Sequence, residues 1–257
     1  IGVRFPLPAQ MKSQPTDEYL RKQLKTPDWY VRLKDFLEIT VFPLNPTKEE
    51  LKIRKEFYKL VSEMLENNEI PLADKSSENP DFDQEREKID TIVIHHTKEK
   101  PDVSLTVLSA IGLVRQYANA YLGDNTWGRD KLRPQPIWSS HFDDNNKMVF
   151  YAYHWLIMPS GTSQRLLKDR YIGRHSGIQS VNARSVAIAF SGDYTDSSPT
   201  DKQLKETARI IRTHYDEAIT IVGHQDVRPD RDCPGKFWPE WKLKLINLSH
   251  FGSVDKN

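Results

Sequence analysis

The stretches TIVIHHT (residues 91–97) and GHQDVRPDRDCPG (residues 223–235) decide how this chain folds. The first opens with a short apolar run rich in β-branched residues, which is typical of a central strand, and His95 closes it. A second apolar run, residues 219–222, leads directly into the other stretch and its His224. Because side chains emerge from a sheet at the ends of its strands, we expect both histidines to face a surface cleft.

Cys233 is the single cysteine of the chain and lies in the same stretch as His224. One cysteine cannot form an intramolecular disulfide, and a lone cysteine is most often a small buried hydrophobe. Two imidazoles and a thiolate nonetheless form a good zinc set, because catalytic zinc sites use three nitrogen or sulfur ligands and a water. No short zinc signature such as HExxH is present. Residue type and spacing alone therefore leave both interpretations open.

The chain from Asp90 onward alternates between strand and helix patterns. Pro159-Ser160-Gly161 is a hairpin turn signal between two apolar runs, and Thr200 with Gln203 forms a capping box at the start of a helix. We therefore predict an α/β fold in which a central mixed sheet is flanked by helices. The predicted strands are residues 91–95, 152–158, 165–167, 185–191 and 219–222, and the predicted helices are residues 103–121 and 200–217.

Residues 1–88 differ from the rest and are predicted to form a mostly helical extension that ends in a linker. The best-marked helix begins at a capping box of Thr47 and Glu50, and its apolar residues recur at helical spacing. The predicted helices are residues 16–24, 29–37 and 47–67, and the polar residues 73–88 are the predicted linker. The chain is thus predicted to contain two domains, residues 1–88 and residues 89–257.

The composition argues against two classes of partner. Lys and Arg number 37 against 36 Asp and Glu, which leaves a formal net charge of +1. Nucleic-acid binding usually requires a strong basic excess, because it depends on the release of counterions from phosphates. No apolar run reaches the roughly 18–20 residues needed to span a bilayer. We expect neither a nucleic-acid partner nor a transmembrane segment.

Five segments occur in an order that resembles one known family. They are TIVIHHT (91–97), YHWLIMPSG (153–161), RHSG (174–177), SVAIAFSGDYTDSSPT (185–200) and GHQDVRPDRDCPG (223–235). Together they are similar to the type-2 N-acetylmuramoyl-L-alanine amidases, a family that includes the peptidoglycan recognition proteins and phage amidase lysozymes. The resemblance covers about residues 90–246, and its two end motifs are specific when found together.

The resemblance implies a zinc ion bound by His95, His224 and Cys233. It also implies two catalytic residues. Tyr153 matches the tyrosine that assists catalysis in the phage and recognition-protein branches, and Arg231 stands where active relatives often carry the Lys or Thr that contacts the developing oxyanion.

The resemblance further implies residues that line the substrate groove. His175 and Asn182 fall in the stretch that borders the groove in the family, and His96 and His154 are interpreted as lining or structural residues because the three ligand positions are already filled. We predict that all four contact substrate.

Two departures from the family pattern affect the mechanism. One bacterial branch carries a glutamate general base at the position of Ala189, so the proton acceptor here stays open. Residues 122–150 are longer than the usual connection, and we predict that they form a rim that reshapes the groove.

The implied activity is zinc-dependent hydrolysis of the amide between N-acetylmuramic acid and L-alanine in peptidoglycan. Two alternatives stay open: a non-catalytic peptidoglycan-binding sensor, against which the presence of Cys233 argues, and a zinc hydrolase of another amide. The implied partner is peptidoglycan or a muropeptide. We expect a monomer that is periplasmic or secreted.

Overall fold

The computed structural model describes residues 15–41, 43, 46–73, 81–101, 103–122 and 136–249, with the side chains of residues 116–122 outside the description. The chain divides into two compact units. The helical unit comprises Ile1–Asn79 and Leu105–Ser139, and the sheet unit comprises Pro80–Ser104 and Ser140–Asn257.

The sheet unit contains five strands in the order β3-β2-β4-β1-β5. All neighbouring strands are parallel except β2 and β3, which form the predicted hairpin. The mixed sheet predicted from the sequence is therefore confirmed. The strands are β1 (Thr91–His96), β2 (Trp155–Ile157), β3 (Ser163–Arg165), β4 (Ser185–Phe190) and β5 (Thr220–Gly223).

One face of the sheet packs on helices and forms the hydrophobic core. Ile92 and Ile94 of β1 point to this face with Val186 and Ile188 of β4, because alternate residues of a strand share a face. The covering helices are α7 (Asp201–His214) and α9 (Trp238–Ser249). The capping box of Thr200 and Gln203 begins α7 as predicted, whereas α9 was not predicted.

The opposite face carries His95. Its partner on the adjacent strand β4 is Ala189, which is fully buried and pairs with His95 in register. Two short helices adjoin this region, α6 (Gln179–Arg184) and α8 (His224–Val227). The carboxyl end of β1 and the start of α8 thus bring the two predicted histidine ligands to one edge of the sheet.

The helical unit has a core of its own. Its helices are α1 (Asp17–Leu24), α2 (Trp29–Arg32), α3 (Lys34–Thr40), α4 (Lys48–Glu66) and α5 (Leu105–Leu122). The capping box of Thr47 and Glu50 begins α4 as predicted. Trp29 and Met64 are fully buried, and so are Leu113 and Val114 on α5, which packs against α2 and α4.

The division into units differs from the predicted split after Lys88. The helix α5 lies in the helical unit because its apolar face packs on α4, and residues 80–88 lie in the sheet unit. The two domain boundaries stay a prediction about segments that fold independently. Within the predicted rim, residues 123–135 lie outside the described part of the chain, so its role also stays a prediction.

Candidate metal centre

The three residues predicted to bind zinc lie together in the sheet unit. The possible ligand atoms of His95, His224 and Cys233 are all within 4.8 Å of one another. Cys233 Sγ lies 3.7 Å from His95 Nδ1, and the two imidazole centroids are 4.6 Å apart. His95 and Cys233 are buried. Among the residues that the structure describes, this is the one group of three or more His, Cys, Asp or Glu side chains that could hold a metal ion.

The backbone around His224 and Cys233 is held by local hydrogen bonds. The Gln225 N–H donates to the Cys233 carbonyl at 2.7 Å, which closes the loop between the two ligands. The Asp226 carboxylate accepts bonds from the Gly223 N–H and from the indole N–H of Trp238, at 2.9 and 2.8 Å. Asp226 therefore fixes the start of α8 through its backbone and does not orient an imidazole.

The second ring nitrogen of each histidine has a hydrogen-bond partner. His224 Nε2 lies 3.2 Å from the Ser176 carbonyl, which can only accept, so that Nε2 carries the proton. His95 Nε2 lies 3.0 Å from His175 Nδ1. Partners of this kind fix the tautomer and the ring orientation of metal-binding histidines.

A chain of hydrogen bonds determines the tautomer of His95. The Ser185 hydroxyl donates to the Val181 carbonyl at 2.6 Å, so its oxygen accepts from His175 Nε2 at 3.2 Å. His175 Nδ1 must then accept from His95 Nε2, provided that both rings are neutral. Burial keeps them neutral, because it lowers the pKa of His95 and of His175 well below the usual value. His95 Nδ1 is thereby left with its lone pair directed towards Cys233.

The donor set fits a zinc ion. Two neutral imidazoles that carry no proton on Nδ1 and one thiol are nitrogen and sulfur donors of the kind zinc prefers. Burial raises the pKa of the Cys233 thiol to about 12, and the His96 N–H, which donates to Sγ at 3.4 Å, only partly offsets this. A buried thiol becomes a thiolate readily only beside a cation, which a divalent metal would supply.

Tyr153 and Arg231 lie near the ligands. Tyr153 lies two residues before β2, and the centroid of its ring is 5.2 Å from that of His95. Burial lowers the pKa of His224 to about 4, opposed by the Ser176 carbonyl and reinforced by the positive charge of Arg231. Both side chains are partly exposed. Their catalytic roles stay predictions.

Three of the four predicted substrate residues accept hydrogen bonds from the backbone inside the protein. His154 is fully buried, and its Nδ1 accepts from the Ala187 N–H at 3.0 Å. Asn182 Oδ1 accepts from the Ser176 N–H at 3.0 Å, and His96 Nδ1 accepts from the N–H of Tyr194 at 2.8 Å. The fourth, His175, contacts a ligand residue instead. Their roles in binding substrate stay predictions. These contacts favour a role in positioning the neighbouring backbone and the ligand residues.

The sequence did not reveal Ser185 or the Ser176 carbonyl as parts of the centre. The Ser185 hydroxyl contacts a ring ten residues away in the chain, and the Ser176 carbonyl contacts a ring 48 residues away. The RHSG motif marked the neighbourhood of Ser176, but a carbonyl has no side-chain signal. In the sequence pattern, Ser185 is recognisable only as the first residue of a predicted strand.

A mixed sheet with two histidines and a cysteine at one edge defines an α/β protein with a candidate metal centre. The sequence model described as N-acetylmuramoyl-L-alanine amidase matches residues 85–236, which is more than half of the chain. The chain belongs to this family.

Several solved structures are similar to the chain at low identity. The amidase endolysin LysCS of Clostridium intestinale is 22% identical, with 68% of this chain and 93% of that chain covered and a TM-score of 0.43. The Ph2119 endolysin of a Thermus scotoductus bacteriophage is 16% identical, with 63% and 86% covered and a TM-score of 0.39. Drosophila peptidoglycan recognition protein SD is 18% identical, with 57% and 75% covered and a TM-score of 0.36. No curated protein matches the chain significantly.

Within the described residues, no helix combines the length and the apolar character that crossing a bilayer requires.

Proposed function

We propose that this protein is a zinc-dependent amidase that hydrolyses the bond between N-acetylmuramic acid and L-alanine in peptidoglycan. The observation that carries the proposal is the convergence of His95, His224 and Cys233, with the outer nitrogen of each ring occupied by a hydrogen bond. Membership of the amidase family supports the choice of substrate.

The three ligand residues would hold the ion, and two neighbouring side chains would stabilise the transition state. Zinc in such a centre supplies Lewis acidity, which activates water and polarises the scissile carbonyl. The transition state of amide hydrolysis carries an oxyanion, and each fixed donor that faces it lowers the barrier by roughly 3–4 kcal/mol. The phenol of Tyr153 is one such donor. The guanidinium of Arg231 is the other, and it cannot act as a base because it stays protonated.

Proton transfer to the leaving amine does not use a carboxylate on β4. Ala189 is paired with His95, at the position where one branch of the family carries its glutamate. The proton is supplied by the Tyr153 hydroxyl or by a water molecule. Because peptidoglycan lies outside the cytoplasmic membrane, the enzyme acts in the periplasm or after secretion. It is expected to act as a monomer.

The test combines metal analysis with product analysis. Purified protein is assayed for zinc content and then incubated with muropeptides, whose products are weighed by mass spectrometry. Free stem peptides with an N-terminal L-alanine are expected from the wild type. They are expected to disappear with a chelator and in Cys233→Ser, and to persist in Lys244→Gln, a control on the surface of α9.

The other outcomes identify the alternatives. Zinc binding without cleavage, together with retention of peptidoglycan, would favour a sensor. Zinc binding with cleavage of a different amide would favour another substrate. A protein that binds no zinc would overturn the proposal.

A further inference from the structure

The segment Asp81–Lys88, here called the strap, precedes β1 and was predicted to be part of a linker. In the structure it belongs to the sheet unit and is bound to residues 169–185. That second segment contains His175, the ring that contacts the ligand His95. The strap therefore contacts the segment whose His175 contacts the predicted ligand His95.

Arg86 makes the largest set of contacts in the strap. Its Nε donates to the Asp169 carbonyl at 2.8 Å. Its Nη1 donates to the carbonyls of Asn182, Ala183 and Ser185, at 3.0, 3.2 and 2.8 Å. Asn182 and Ala183 lie in the last turn of α6, where carbonyls lack partners within the helix and a cation is favourable. One guanidinium thus joins both ends of the segment 169–185.

Two further strap residues bind the middle of that segment. Asp83 Oδ1 accepts from the Ile172 N–H at 2.6 Å. The guanidinium carbon of Arg174 lies 4.7 Å from the centre of the Phe82 ring. Ile172 and Arg174 precede His175 by three residues and by one, so these contacts hold the chain before that histidine, and the Arg86 bonds to Asn182, Ala183 and Ser185 hold the chain after it.

Arg86 is connected to the ligand His95 by three consecutive hydrogen bonds. Arg86 Nη1 binds the Ser185 carbonyl at 2.8 Å, and the Ser185 hydroxyl lies 3.2 Å from His175 Nε2. His175 Nδ1 lies 3.0 Å from His95 Nε2. A shift of Ser185 would therefore change the hydrogen bond that sets the tautomer of His95.

Partial burial of the Arg86 guanidinium costs free energy, which indicates that this charge has a specific structural role. Burial lowers the pKa of Arg86, and the charges of Asp169 and Asp83 only partly oppose this. Within the described ranges it forms no ion pair, and carbonyl oxygens bind its Nε and Nη1 instead, while Nη2 is buried without a hydrogen bond. A half-buried cation is retained most readily where its hydrogen bonds hold several backbone segments at once.

We propose that Arg86 is a positioning residue of the metal centre, which fixes Ser185 and through it the His175 ring that orients His95. The inference rests on the proposed zinc site. It extends the functional part of the chain to a segment that precedes the first strand.

The test compares variants by zinc affinity and by spectroscopy. Arg86→Gln removes the guanidinium, Arg86→Lys keeps the charge without the fork of donors, and Ser185→Ala removes only the hydroxyl link. The matched control is Arg212→Gln, since Arg212 on α7 also donates to a carbonyl, that of Leu248, on the opposite face of the sheet.

Zinc dissociation constants are measured by chelator competition, and the geometry of the centre by the visible absorption of the Co²⁺-substituted protein. Arg86→Gln and Ser185→Ala are expected to weaken zinc binding about tenfold and to alter the cobalt spectrum, with a smaller effect in Arg86→Lys. Arg212→Gln is expected to lose thermal stability but to keep the wild-type affinity and spectrum. Unchanged zinc affinity and spectrum in a folded Arg86→Gln would overturn the inference.

A measurement on metal-free protein separates this inference from the proposed function. The ¹⁵N shifts of the His175 and His95 rings report their tautomers directly. They should change in Arg86→Gln and stay as in the wild type in Arg212→Gln. Unchanged shifts would overturn the positioning role. A wild type that binds no zinc would instead overturn the zinc proposal, whatever the shifts show.

Discussion

His95 Nε2 and His175 Nδ1 lie 3.0 Å apart, and this contact leaves His95 Nδ1 facing the thiol of Cys233. Loss of the His175 ring should free the His95 imidazole to rotate and change tautomer. We expect His175→Ala to weaken zinc binding by about 10- to 100-fold, the usual effect of removing the partner of a metal-binding histidine. Chelator competition measures this. His214→Ala, at an exposed histidine of α7, is the control. Equal affinities in the two variants would contradict the assignment.

Tyr153 is predicted to act in the transition state and not on the metal. Tyr153→Phe removes only the hydroxyl, so kcat on a muropeptide should fall about 100-fold, as for loss of an oxyanion donor. The zinc content should stay at the wild-type level. Tyr215→Phe serves as the comparison, because that hydroxyl binds the Trp155 indole and the Asp169 carboxylate. A loss of zinc in Tyr153→Phe, or an equal loss of kcat in both variants, would argue against the role.

His154 should make the stability of the protein depend on pH. Burial lowers the pKa of His154 to about 3, whereas its ordinary value is 6.5. The unfolded chain therefore binds a proton below pH 6.5 that the folded protein takes up only near pH 3. Stability should fall as the pH decreases through this window, with His154 contributing up to about 1.4 kcal/mol per pH unit.

Urea unfolding of the metal-free protein between pH 7 and pH 4 measures that dependence. His154→Gln should give a shallower decrease than the wild type, because the amide does not titrate. The buried rings of His95 and His175 contribute in the same direction, so the difference between the two proteins is the relevant quantity. Parallel curves would mean that His154 does not titrate differently in the folded state.

Gly235 should tolerate no side chain. A Cβ at this position would lie 1.9 Å from the Tyr194 carbonyl oxygen, and its φ of +121° is already unfavourable for other residues. Gly161 has a φ of +89°, and a Cβ there would lie 3.1 Å from the Lys202 Cβ and 3.3 Å from its carbonyl oxygen, which is close contact without overlap. Gly161→Ala should cost about 1–2 kcal/mol from backbone strain alone. Gly235→Ala should cost more than about 3 kcal/mol, since overlap with backbone is added.

The free energy of unfolding and the zinc affinity are measured for both glycine variants. Because Gly235 follows Cys233 by two residues, Gly235→Ala should also weaken zinc binding, and Gly161→Ala should not. Similar costs in the two variants would show that the loop after Cys233 adapts to the added methyl group.

The protein should lose solubility when the N-terminal segment is removed, because α5 packs on that segment. Leu113 and Val114 are fully buried in the helical unit, and deletion of residues 1–79 would expose them. We expect the deletion variant to aggregate on size-exclusion chromatography. A monomeric product that unfolds cooperatively at the temperature of the full chain would contradict this expectation.

The strands and the ligand set could be predicted because their signals are local. TIVIHH has the β-branched composition of a buried strand, and His95 stands at its end. Arg86 and Ser185 could not be predicted, because their contacts join residues 99 apart in the chain and depend on the fold. A charged residue in a polar stretch has the same appearance whether it is solvated or bound to four carbonyls.

The helix assignments show a second limit. The sequence predicted a helix at residues 103–121, but not which part of the chain covers it. The helix α9 was missed although Trp238, Trp241 and Leu245 recur at helical spacing and are buried. Pro239 near its start is compatible with this helix, because the first turn of a helix needs no N–H there.

The helical unit is assembled from two separate stretches of chain, one before β1 and one after it. A single crossover between residues 80 and 104 would separate these two stretches. A chimera would then combine half of one helical core with half of another, and their apolar surfaces would not match. Exchange of the helical unit alone, with residues 80–104 kept, therefore requires three crossovers, one at each boundary between the two units.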